Sequence, residues 1–159
     1  MGGMPVIHAR DIEEGRRSLD QWREAALQQL GQVTGMGASD GDIPRDDVEH
    51  SPADIRLRIS PRLARRTWAM AVRYSLYMLQ QKAPGPGVEV RVAPWGAVKI
   101  LDGPASDPHN LTPPDVIELE PSVWLRVATG ITRWDEERAA GHVTAVGERD
   151  DLGGLLPLL

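Results

Sequence analysis

Apolar residues recur at helical spacing early in the chain. Leu19, Trp22, Ala26, Leu27, Leu30 and Val33 fall on one side, which predicts a helix over 11–33. Gly15 weakens its first turns. Residues 34–54 lose the pattern: Gly35, Gly37, Gly41, Pro44 and Pro52 alternate with carboxylates, and the stretch reads as a mobile acidic loop. Residues 1–10 read as frayed. Ile55, Leu57 and Ile59 then alternate with Arg56 and Arg58, which suits a short strand or the first turn of a helix. Ser60-Pro61 reads as a helix start, with Ser60 as N-cap and Pro61 in the first turn. Leu63, Trp68, Met70, Val72, Leu76 and Leu79, with Tyr74 and Tyr77, cover a wide arc, so this helix should be largely buried as far as Lys82. Pro84-Gly85-Pro86-Gly87 ends it.

The period then changes to two. Val88, Val90 and Val92 face one way and Glu89 and Arg91 the other, which predicts a strand. Pro94-Trp95-Gly96 turns the chain, and residues 97–101 return as the second strand of a hairpin. Residues 102–114 read as a loop, and Val116, Ile117 and Leu119 as a third strand. Pro121 opens a helix that Gly130 closes after Thr129. Thr132, with Asp135 three residues on, reads as the N-cap of a separate helix ending at Gly141. Residues 142–146 predict a fourth strand and 148–156 a last short helix. The chain closes on Leu155-Leu156-Pro157-Leu158-Leu159. Left in water, such a tail costs roughly 25 cal/mol per Å² of apolar area, so it either plugs the core or lines an apolar groove. The sum is an α+β fold: four to five strands in a curved, mostly antiparallel sheet, with helices on one face and one helix before it.

Composition narrows the function classes. The 159 residues suit one domain with one modest core. There is no cysteine, which excludes a disulfide framework, a thiolate zinc site and a cysteine nucleophile. Five Trp and two Tyr stand without a single Phe. The net charge of −5 hides an acidic–basic–acidic layout. Residues 56–100 carry 9 basic side chains against 1 acidic, and both flanks are acidic. The cluster Arg56, Arg58, Arg62, Arg65, Arg66 and Arg73 either meets an anionic partner or packs against the chain's own acidic flanks. Its aromatics share a helix at core spacing, so no nucleic-acid role is expected, and at most peripheral contact with an anionic membrane through Arg56–Arg73. No targeting segment is visible, and a cytoplasmic location is expected.

The search for chemistry is mostly negative. His8, His50, His109 and His142 have no metal-ligand spacing and read as surface or loop residues. Asp46-Asp47, Asp135-Glu136-Glu137 and Asp150-Asp151 are sequential runs, which mark solvated faces or caps more than converging acid–base pairs. No phosphate loop and no nucleophile elbow is present. No catalytic residue, metal site or cofactor is therefore expected.

Two blocks are more specific. Pro121-Ser122-Val123-Trp124-Leu125-Arg126-Val127-Ala128-Thr129-Gly130 is followed by Gly147-Glu148-Arg149-Asp150-Asp151-Leu152. With Val88–Val98 and the Leu-rich end, they resemble the bacterial branch of the sterol carrier protein family over roughly 61–159. A related domain is appended to mycothiol-dependent maleylpyruvate isomerases, whose metal chemistry sits in a separate helical domain. The resemblance implies a sheet covered by helices on one face, with an apolar tunnel between them. The expected division of the chain is 1–55, a helix and acidic loop, and 56–159, the carrier-like domain. The expected function is non-catalytic binding of an apolar or lipid-like ligand in a helix–sheet cavity, near Trp68, Leu76, Trp95, Trp124, Val127 and Leu156. The alternative is a structural module with a filled core, acting as a homodimer or as the partner of a separate enzyme. An enzyme is the third reading, and needs a convergent polar cluster in a pocket.

Overall fold

The computed structural model describes residues 4–35, 51–103 and 115–159. The acidic loop expected over 34–54 falls largely outside the described residues, as do His50 and His109. A 3-10 turn at Ala9–Asp11 leads into the first helix, α1, Ile12–Gly35. Then follow α2 (Pro52–Arg56), α3 (Arg65–Lys82), strands β1 (Pro84–Val92), β2 (Gly96–Ile100) and β3 (Asp115–Leu119). Helices α4 (Pro121–Thr129) and α5 (Trp134–Ala139), then β4 (Val143–Val146), complete the α+β fold.

The four strands form one sheet in the order β2-β1-β3-β4. The hairpin β1–β2 and the pair β3–β4 are antiparallel, while β1 and β3 run parallel in the centre. The alternation read from the sequence sets the faces. Val88, Val90, Val92, Val98, Ile100, Ile117 and Leu119 are buried on the inner face. Ala97, Lys99, Glu118 and Thr144 stay in solvent on the other. Helix α3 lies against β1 and β2, touches α4, and is flanked along its length by α1. Leu19, Trp22 and Ala26 of α1 join the same core as the sheet, so the first helix and the strands share one buried cluster.

Several boundaries differ from expectation, each for a local reason. The strand-or-helix segment at 55–59 opens on the last residues of α2, a short helix whose N-cap is Ser51, with Pro52 in its first turn. Ser51 Oγ accepts from the Asp54 N–H at 3.2 Å, and Asp54 answers the Ser51 N–H at 3.2 Å. Ser60-Pro61 does not start a helix, because α3 begins at Arg65. Its Ser60 N–H is instead taken by Gln29 Oε1 of α1 at 3.0 Å, and Pro61 is buried. The Pro84–Gly87 run ends α3 but already belongs to β1, with a register irregularity between Pro84 and Val88. Helix α5 is capped one residue later than expected: Glu136, not Asp135, accepts the N–H of Arg133 at 3.0 Å. Residues 148–156 are not a helix. They run irregularly to a 3-10 turn at Gly153–Leu155, held by Arg138 to Asp150 at 2.5 Å. Gly130 ends α4 as expected, at φ 81°, where a side chain is strained. The tail docks on α4 through the Leu158 N–H to the Ala128 carbonyl at 2.8 Å, and Leu152 is buried.

Candidate functional site

The open end of the sheet carries the site. Here β1 and β3 finish and β2 and β4 begin, so residues 93–95, 120–122 and 141–142 come together around one rim. A groove of about 500 Å³ runs between the approach to α3, the β1–β2 turn and the start of α4. Leu63, Trp68, Pro94, Trp95 and Pro121 give its apolar wall, and Arg65 and Glu120 stand among its polar residues. Trp68 stacks on Trp95 with centroids 6.4 Å apart, and its other side meets Trp22 edge-on at 5.6 Å. The three indoles thus form a ladder from the fully buried Trp22 to the partly buried Trp95. The turn holding Trp95 is fixed from below, because Arg73 Nε donates to the Trp95 carbonyl at 3.1 Å.

The arginine cluster divides by function. Arg56 grips Glu136 with two bonds of 2.9 and 2.6 Å, and Arg66 grips Glu14 with bonds of 2.6 and 2.8 Å. Burial pushes the Glu136 carboxyl up, but Arg56, the Arg133 N–H and the nearby charges outweigh it and hold the group below its usual range. The hydrogen bond from Arg66 likewise holds Glu14 low. Arg58, Arg62 and Arg65 are exposed and have no partner among the described residues. Arg65 is the one of these that lines the tryptophan groove.

The six anticipated ligand residues do not converge on one cavity. Trp68 and Trp95 meet in the groove. Leu76 and Trp124 are at 0% exposure inside the core, where the Trp124 indole donates to Ser75 Oγ at 2.8 Å and Ser75 donates to the Ala71 carbonyl at 2.7 Å. Val127 and Leu156 line a separate cleft of about 460 Å³ beneath the C-terminal tail, together with Trp134 and Pro157. Among the described residues, the helix–sheet layer at Leu76 and Trp124 is filled by their own side chains.

Sequence reasoning missed a buried charge network beside the rim. Glu137, read as part of a solvated run, is fully buried. It takes Arg126 Nε at 2.6 Å and Nη2 at 3.2 Å, the Thr132 hydroxyl at 2.9 Å, and His142 Nδ1 at 2.6 Å. Arg126 also donates to the Ile59 carbonyl at 2.9 Å. The only sequence signal was a lone Arg within an otherwise apolar helix face, a position that a buried partner must satisfy. Among the described residues no cluster of three His, Asp or Glu is arranged to hold a metal, and no helix is long and apolar enough to cross a membrane.

Residues 64–158 match the family model described as bacterial SCP ortholog. The chain belongs to this bacterial sterol-carrier-protein-like family. The match covers more than half of the sequence and contains α3, the whole sheet, α4 and α5, but not α1 or α2. No curated protein matches the chain. Membership in this sterol-carrier-like family suggests a lipid-binding carrier domain, a class that generally performs no catalysis.

Proposed function

We propose that this sterol-carrier-like chain binds an amphiphile non-catalytically, with the apolar chain against Trp68 and Trp95 and an anionic end near Arg65. One observation carries this reading. A stacked, partly buried tryptophan pair lines a groove of about 500 Å³ that also holds an arginine without a partner among the described residues. The part of each indole that still meets water gains from an apolar cover, and an unpaired guanidinium suits a carboxylate or phosphate. The family suggestion of a lipid carrier supports the same class of ligand.

The test is quenching of tryptophan fluorescence by 9,10-dibromostearate, with lipid extraction of the purified chain. Saturable quenching that Trp95→Ala weakens about tenfold is expected, consistent with an aromatic contact of roughly 1–3 kcal/mol. Bromostearate that leaves the indoles unquenched, together with a lipid-free preparation, overturns it.

A second reading is a filled structural module that pairs with a copy of itself or another protein. Trp22 and Trp124 are completely buried, while Leu27 and Val33 of α1 are 47% and 41% exposed. Light scattering distinguishes the readings: a monomer unaffected by Leu27→Glu speaks against the interaction module.

A further inference from the structure

The geometry points to a second site, a cleft at His142 that takes a protonated alkylamine. This inference is independent of the tryptophan groove. The cleft has a volume of about 360 Å³ and shares only Glu120 with that groove. Its apolar wall is Ala93, Leu119 and Val123, and its polar side chains are Glu118, Glu120, His142 and Thr144.

The imidazole is preset by what lies behind it. Glu137 is fully buried, and both of its carboxylate oxygens accept from the Arg126 guanidinium in a charge-assisted pair. An ionised carboxylate can only accept, so the contact of 2.6 Å means that His142 Nδ1 carries the proton. In the neutral form of a ring held this way, Nε2 is the bare acceptor. Nε2 has no partner among the described residues, and the His142 side chain is 38% exposed. The buried Arg126–Glu137 pair and the Thr132 hydroxyl therefore hold one ring tautomer ready at the cleft.

The rest of the lining selects the ligand. No lysine or arginine lines this cleft, whereas two carboxylates do. Arg91 lies opposite Glu118 in the strand register and acts on it through its charge, while its guanidinium is bonded to Glu89 at 3.1 Å. A ligand for such a lining needs several N–H donors, a positive charge and a short apolar body. An alkylammonium has all three: its N–H groups reach Nε2 and a carboxylate, and its chain lies on Leu119 and Val123.

The test uses the full chain and three six-carbon probes at neutral pH: hexylamine, hexanol and hexanoate. Long-range ¹H–¹⁵N spectra report the His142 ring. Hexylammonium is expected to shift Nε2 saturably, with the other two at least about tenfold weaker, as a charge-assisted bond implies. His142→Leu should lower hexylamine affinity about tenfold. Glu120→Gln, an exposed change, should lower it severalfold and keeps the proposal testable if the Leu variant misfolds. Hexanol binding as tightly as hexylamine overturns the proposal. So does hexylamine binding that leaves the Nε2 resonance unmoved.

Discussion

At the residue scale, the greatest leverage lies in the pair Arg126–Glu137, whose side chains are 4% and 0% exposed. A buried pair is a weak source of net stability, but breaking it leaves a bare charge. Glu137→Gln should therefore cost about 3–5 kcal/mol in urea melts. The double variant Arg126→Met/Glu137→Met should cost clearly less than the two single changes added together. Additive losses would show that the pair does not act as a unit. Glu136 and Glu14 contribute to the acid limb of stability. Their folded carboxyls titrate below their ordinary value, so they stabilise the fold above the unfolded value of about 4.3 and lose that contribution as pH falls through the folded one. Arg56→Met should flatten this fall below about pH 5; a slope unchanged from the parent chain would count against the assignment. Little of this was legible in sequence. Glu137 sat in a run of three carboxylates, and its partner Arg126 lies on the preceding helix. Only the folding of α5 back onto α4 separates the buried member of the run from its solvated neighbour Asp135.

At the element scale, local signals worked where backbone chemistry decides and failed where packing does. Pro121 and Gly130 bracketed α4 correctly, because a fixed φ and a left-handed residue act wherever the chain lies. Ser51-Pro52, at the end of the stretch expected to be a loop, starts a short helix, whereas the expected start at Ser60-Pro61 does not, since the Ser60 N–H found Gln29 on α1, a contact absent from local sequence. The tryptophan groove was half legible: spacing put Trp68 on a helix and the hairpin put Trp95 in a turn, but their stacking depends on how α3 lies over β1 and β2. The crossing of α1 and α3 gives a sharp test. A Cβ on Gly15 would come within 2.7 Å of the Tyr74 Cβ and 2.8 Å of the Ile7 Cδ1. Helix propensity alone makes Gly15→Ala stabilising by about 1 kcal/mol. Overpacking costs about 1–3 kcal/mol and should win, so the variant should melt lower than the parent. A higher melting temperature would mean that α1 slides on α3 without penalty.

At the scale of the whole molecule, the antiparallel hairpin β1–β2 follows from a short turn and β3–β4 closes only across α4 and α5, while no local signal dictates the central parallel pair β1–β3. It places α4 and α5 at the same end of the sheet as the β1–β2 turn, and so brings the tryptophan groove and the His142 cleft to one rim. The family match begins at Ala64, yet the core extends further back along the chain. Trp22 and Leu19 of α1 are 0% and 1% exposed, and Trp22 supports Trp68 from behind. Losing one such Trp costs about 3–5 kcal/mol and one such Leu about 2–5 kcal/mol, against a typical domain stability of about 5–15 kcal/mol. Removal of residues 1–35 should therefore abolish cooperative unfolding, although the fragment retains every residue that matches the family. It should also bind a hydrophobic dye through the bared face of α3, and its tryptophan groove should lose bromostearate quenching with the loss of the indole ladder. A fragment that still melts cooperatively within a few degrees of the full chain would make α1 an appendage, and the 64–158 segment a complete folding unit by itself.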